Sequence, residues 1–154
     1  MAGRQVTVPS ALRAALTVLF GAAVDDVAVV EHSWYARLHG RIIATTRRRR
    51  IYLRGSAADF FRDPELVLHE YCHVLHQWEP RRLSIARYLL EWLRHGYWDN
   101  RFEVEAREFA ADHLRRFRAL LSRHGAADGD EPPRNGRDLR RPHRACSVAD
   151  RAPD

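Results

Sequence analysis

Lysine is absent from this chain of 154 residues: all 26 cationic side chains are arginine, set against 20 Asp and Glu, for a formal charge of +6. Cysteine is nearly absent too. Cys72 and Cys146 are the only two, which excludes a disulfide scaffold and fits a reducing compartment. No apolar run approaches the ~20 residues that a membrane-spanning helix needs, so no span is expected. What is present suffices for a core: a hydrophobic fraction of 45% and an aromatic fraction of 10% exclude disorder of the whole chain. The length suits one domain and would cramp two.

The resources are unevenly spread. Residues 124–154 hold no aromatic residue, four of the seven prolines and few large apolar side chains. Such a segment cannot bury enough surface to offset its ordering entropy, so it reads as a disordered tail. Its six Arg balance six acids, and the +6 excess therefore belongs to residues 1–123, with twenty Arg against fourteen acids. The folded domain is expected over residues 5–123. An apolar stretch from Ala14 to Val24 has two readings: a first helix starting at Pro9-Ser10 and ending near Gly21, or a secretory signal cleaved after Gly21-Ala22-Ala23. The first gives the expectation of a cytoplasmic protein, with secretion as its alternative.

Short β-branched runs at Val27–Val30, Arg41–Thr46 and Arg50–Leu53 read as strands, with Gly40 and Gly55 as punctuation. Asp63-Pro64-Glu65 is a helix start: Asp as N-cap, Pro in the first helical position and an acid in the first turn. That helix is predicted from Pro64 to about Trp78, stopping near Pro80. Leu83 to Arg94 is amphipathic, with Leu83, Ile85, Tyr88, Leu89, Trp92 and Leu93 on one side. Gly96 ends it, and Arg101–Arg123 reads as a long last helix. A helix, a short β-meander and three further helices make an α+β domain.

One motif carries chemistry. His69-Glu70-Tyr71-Cys72-His73 is an H-E-x-x-H on the Pro64–Trp78 helix, and about 0.03 such matches are expected by chance in a chain of this composition. Histidines at i and i+4 stand on one helix face, so both imidazoles can reach one Zn²⁺ at ~2.0–2.1 Å. Glu70 lies about 100° around the helix, where it can serve as general base to a zinc-activated water instead of acting as a ligand. A catalytic zinc needs a third protein ligand. The candidates are His76, His95, Glu103, Glu105, Glu108, Asp112 and His113. Taking Phe102 as zero on the last helix, Ala106, Ala110 and Leu121 fall near about 40°, 80° and 100°, and Glu103 near 100°, inside that apolar arc. A buried carboxylate is costly unless it is paired or metal-bound. Glu103 is therefore the expected third ligand, Glu105 at about 300° the runner-up, and an ion pair of Glu103 with an Arg such as Arg107 the competing role. His113 and Cys72 read as core, and His76 as packing or as support for the ligands. Tyr97, His95 and His76 are possible donors to an oxyanion, and packing is the plainer role for Tyr97 and Trp98.

These residues are similar to those of the glutamate-zincins, in which H-E-x-x-H on one helix is completed by a Glu in an E-x-x-A stretch on a later one. Here that stretch is Glu103-Val104-Glu105-Ala106. The order upstream (Leu19-Phe20-Gly21, Val27–Val30, Ala36–Leu38, Arg41–Thr45, Ile51–Leu53, then Leu66-Val67-Leu68-His69-Glu70 and a later Gln77) resembles a metallopeptidase domain associated with extracellular contractile injection systems and bacterial toxins. The resemblance covers roughly residues 15–110. It implies a minimal zincin fold, zinc on His69, His73 and Glu103, Glu70 as general base, a peptide or protein substrate, and a secretion-system or toxin partner. It also implies a substrate strand added to a sheet edge, for which Arg50–Leu53 is the candidate. The alternative function is a zinc-binding module of such a system without proteolytic activity, in which the metal stabilises the fold. A third reading takes the run Arg47-Arg48-Arg49-Arg50, with Trp34 and Tyr35, as a nucleic-acid contact. A solvated hairpin turn explains the run more simply, no recognition motif accompanies it, and the missing lysines point to compositional bias, so nucleic acid is not expected as a partner.

Overall fold

The computed structural model describes residues 3–33 and 44–129. Trp34, Tyr35, the Ala36–Leu38 segment, the first residues of the Arg41–Thr46 strand and the tail beyond residue 129 lie outside the described residues.

The chain opens on a short strand, β1 (Arg4–Val6), that the sequence pattern does not announce. Helix α1 (Ser10–Phe20) follows, turns Leu12, Ala15 and Leu16 into the core, and ends at Gly21, whose φ of 79° is a backbone shape that glycine adopts without steric cost. A 3₁₀ turn (Ala22–Asp26) leads to β2 (Ala28–Glu31). Strands β3 (Ala44–Arg47) and β4 (Arg50–Leu53) form an antiparallel hairpin in which Arg47 pairs with Arg50. The four-arginine run is thus strand ends plus a two-residue turn. Arg49 takes a positive φ of 57° there, with its guanidinium held by Asp26 and Glu79.

The sheet order is β1-β2-β4-β3. β1 and β2 are antiparallel, and β2 and β4 are parallel. The α+β class is as expected, but the strands are not a simple meander. β4 lies between β2 and β3, with its backbone bonded on both sides, so the expectation that Arg50–Leu53 offers a free edge is corrected. Among the described residues the edges are β1 and β3, and β3 lies against the helix that carries His69 and His73.

A short helix, α2 (Ala57–Phe61), capped by Ser56, precedes α3 (Pro64–Cys72). The side chain of Asp63 caps α3 by accepting from the Leu66 N–H, and Pro64 sits in the first turn. The helix then widens into a π-helical turn, His73–Trp78, a departure from the uniform α-helix expected there. Helix α4 (Ile85–His95) is capped by Ser84 and ends at Gly96. The last helix, α5 (Arg101–Gly129), runs six residues past the expected end at Arg123.

The core fills the space between one sheet face and α1, α3 and α5. Val29, Ile51 and Leu53 enter it from the strands, Val67, Leu68 and Tyr71 from α3, and Ala110 and Phe117 from α5. Ala106 and Ala110, both buried, have little bulk and let α5 run close along α3. Phe117, farther along α5, is 0% exposed. Phe117→Ala is expected to cost about 3–5 kcal/mol of folding free energy, from lost transfer energy plus the cavity left behind. Equilibrium denaturation would measure this, and a loss below about 1 kcal/mol would mean that the site collapses.

Candidate metal centre

His69 is one turn from His73 because both lie on α3 or its direct continuation, as the motif requires. Their Nε2 atoms stand 3.0 Å apart. Glu103 comes from the first turn of α5, where a carboxylate also suits the helix dipole. Its Oε2 lies 3.3 Å from His69 Nε2 and 3.6 Å from His73 Nε2. Three ligands at ~2.0–2.1 Å on a tetrahedral ion stand about 3.3–3.4 Å from one another, so the three edges match that scale. Among the described residues, these three side chains form the one group of His, Cys, Asp and Glu that could hold a metal ion.

The remaining bonds leave the right atoms free. Tyr88 donates its hydroxyl proton to Glu103 Oε1 at 2.9 Å. Glu103 Oε2 is buried and has no hydrogen-bond partner among the described residues. An orphaned carboxylate oxygen facing two imidazole nitrogens is expensive as it stands and becomes reasonable with a cation between them. Gln77, fully buried, acts on the other side. Its Nε2 donates to the Phe102 carbonyl at 2.9 Å, which fixes the amide's orientation and turns Oε1 toward His73 Nδ1 at 2.8 Å. A carbonyl oxygen only accepts, so Nδ1 carries the proton and Nε2 is left for a ligand. Gln77→Leu is expected to weaken zinc binding by about 10–100-fold and to leave the buried His73 Nδ1–H without its acceptor at a cost of about 1–3 kcal/mol. Chelator competition and denaturation read the two effects separately, and unchanged affinity would remove Gln77 from the centre.

Glu70 is buried beside the cluster. Burial pushes its carboxyl above the ordinary range, against the pull of His73 and His69. Burial also acts on Glu103, but the two histidines outweigh it and hold that carboxyl well below the usual range. Two carboxyls one helix apart are thus driven in opposite directions, one toward proton exchange and one toward permanent charge. Burial, with Glu103 adding to it, pushes the Tyr97 hydroxyl up to about 12 and Tyr88 higher still, so both remain donors at neutral pH.

The other candidates go elsewhere. Glu105 forms a bidentate pair with Arg82 at 2.7 and 3.1 Å. His113 bonds the Phe109 carbonyl and stacks on its ring, and His76 packs between Phe20 and Phe109. His95 stands at the surface beside Glu91. Glu108 and Asp112 are not part of the cluster. Arg107 does not pair with Glu103; it bonds the Trp98 carbonyl and lies over that indole. Cys72 is buried, and its thiol is pushed up to about 12, chiefly by burial, which leaves it inert at neutral pH. Tyr88 is the residue that sequence reasoning missed. It sits at helical spacing among apolar neighbours, and only the crossing of α4 over the start of α5 reveals the Glu103 it meets. Asn100 pins that crossing: its Oδ1 accepts from the Phe102 N–H and its Nδ2 donates to the Tyr88 carbonyl.

Comparison with protein-family models, with curated proteins and with solved structures returns no match, so the resemblance drawn from the sequence rests on its residues alone.

Proposed function

We propose that this chain is a zinc-dependent peptide hydrolase, with His69, His73 and Glu103 as metal ligands and Glu70 as general base. The observation that carries the reading is the buried Glu103 Oε2, without a hydrogen bond among the described residues, at 3.3 and 3.6 Å from two histidine nitrogens of an H-E-x-x-H helix. Two imidazoles and one carboxylate are a donor set of catalytic zinc sites, and bound zinc would supply Lewis acidity toward water and a substrate carbonyl.

The chain's own residues account for the rest. Glu70, its carboxyl raised by burial, suits a group that takes a proton from water near neutral pH and returns it to the leaving amine. Tyr88 and Gln77 hold Glu103 and His73 in orientation. Among the described residues β3 is the edge strand nearest the histidines, so its outer side is the one to offer backbone donors and acceptors to an extended peptide, in place of β4. A secretion-system or toxin partner belongs to the same proposal and rests on the sequence resemblance.

The test is cleavage of a broad peptide library by the zinc-loaded full chain, read by mass spectrometry. Chelator-sensitive products are expected. A zinc-loaded protein that cleaves neither the library nor itself would sink the hydrolase reading and favour a zinc-stabilised module without proteolysis.

A further inference from the structure

Helix α4 is strongly amphipathic, yet it is docked on its polar side. With Ile85 as zero and 100° per residue, Leu89, Leu93 and Leu90 fall near about 40°, 80° and 140° and Trp92 near 340°, one continuous apolar arc. Tyr88 and Glu91, near about 300° and 240°, are its half-buried positions and the ones turned to the domain. No residue of α4 is buried. Leu93 is 74% exposed, Leu89 50%, and Trp98 just beyond the helix 71%. An apolar face of this kind turned away from the core marks a contact surface.

We propose that α4 lies in the surface of an anionic lipid bilayer, with its Leu89, Leu93 and Trp92 face among the acyl chains and Trp98 at the headgroup boundary. Three observations select this occupant. First, the flank of the arc is cationic. Arg87 and Arg94 border it near about 200° and 180°. Second, leucine and tryptophan opposite arginine, on a helix whose other face is charged, is the composition of interfacial helices. No helix in the described residues is long and apolar enough to cross a membrane, so this one can only lie along its surface. Third, the apolar face by itself is smaller than a dimer interface. An eleven-residue helix is about 16 Å long, and such a strip offers on the order of 200–300 Å² where a stable dimer needs ~800 Å² from each partner. A bilayer needs no matching surface. This inference does not depend on the metal centre.

The experiment is co-sedimentation of the full chain with vesicles of phosphatidylcholine alone or with about one-third phosphatidylserine. Binding to the anionic vesicles is expected to exceed binding to the neutral ones by at least about tenfold, to weaken with salt, and to persist after chelation. Leu89→Glu with Leu93→Glu should abolish it, and Arg94→Glu should reduce it severalfold. Val18→Glu, at an exposed apolar position on α1, should leave it unchanged. Circular dichroism would verify that each variant folds. The proposal is overturned if the wild type binds neither vesicle, if the double variant binds as well as the wild type, or if sedimentation without lipid reveals a dimer that the double variant dissolves.

Discussion

Glu103→Ala is expected to weaken zinc binding by more than about 100-fold, because losing a direct ligand exceeds the ~10–100-fold cost of losing a supporting residue. Glu105→Ala should leave the affinity unchanged. The two carboxylates are two positions apart on one helix, yet one faces His69 and His73 while the other is spent on Arg82. Titration against a fluorescent chelator separates them, and loss of zinc from Glu105→Ala alone would refute the assignment. The same titration carries a pH signature. Burial lowers the pKa of His73, but the nearby Glu103 carboxylate, the charge of Glu70 and the hydrogen bond to Gln77 outweigh it, leaving the imidazole above its ordinary 6.5. In the metal-free protein that proton must leave before zinc can bind. Affinity therefore rises with pH through this range, by up to about tenfold per unit for each proton displaced. An affinity flat from about pH 6 to 8 would mean that no His73 proton is displaced by the metal.

Glu70→Gln should bind zinc within a few-fold of the wild type and lose about 10²–10⁴-fold in peptide hydrolysis, the usual contribution of a positioned general base. The amide keeps the size of the side chain and cannot accept the proton. Folding is not expected to suffer. A buried acid whose pKa is raised on folding contributes stability below its unfolded value near 4.5, and this is lost as pH rises through the folded value. A neutral amide escapes that loss, so the metal-free variant should melt no lower than the wild type at neutral pH. A variant that folds, binds zinc and still hydrolyses peptides would remove Glu70 from the chemistry. One that loses zinc would make Glu70 part of the metal shell.

Much of this centre is legible without any fold. The Asp63-Pro64 start of α3, the shared face of His69 and His73, and the offset of Glu70 all follow from helical geometry within a few residues of chain. The burial of Glu103 follows from the apolar arc of α5, since that arc marks which face must leave water. Tyr88 and the two bonds of Gln77 are not legible in this way. They join α4 to α5 and the π turn to α5, and periodicity carries no record of which atoms two helices bring together. The role given to Arg50–Leu53 fails for a related reason. Its residues announce a strand, but whether a strand is central or an edge depends on long-range pairing, here the parallel pairing with β2.

The sequence by itself determined where the helices start and stop, which of their faces are apolar, and that two histidines stand one turn apart with a glutamate beside them; these are properties of neighbours along the chain. Only the tertiary structure decided that Tyr88 and Gln77 support the cluster, that among the described residues β3 and not β4 is an edge, and that the apolar face of α4 looks outward. An amphipathic pattern records that a face avoids water. What covers that face is set by the packing of elements far apart in the chain.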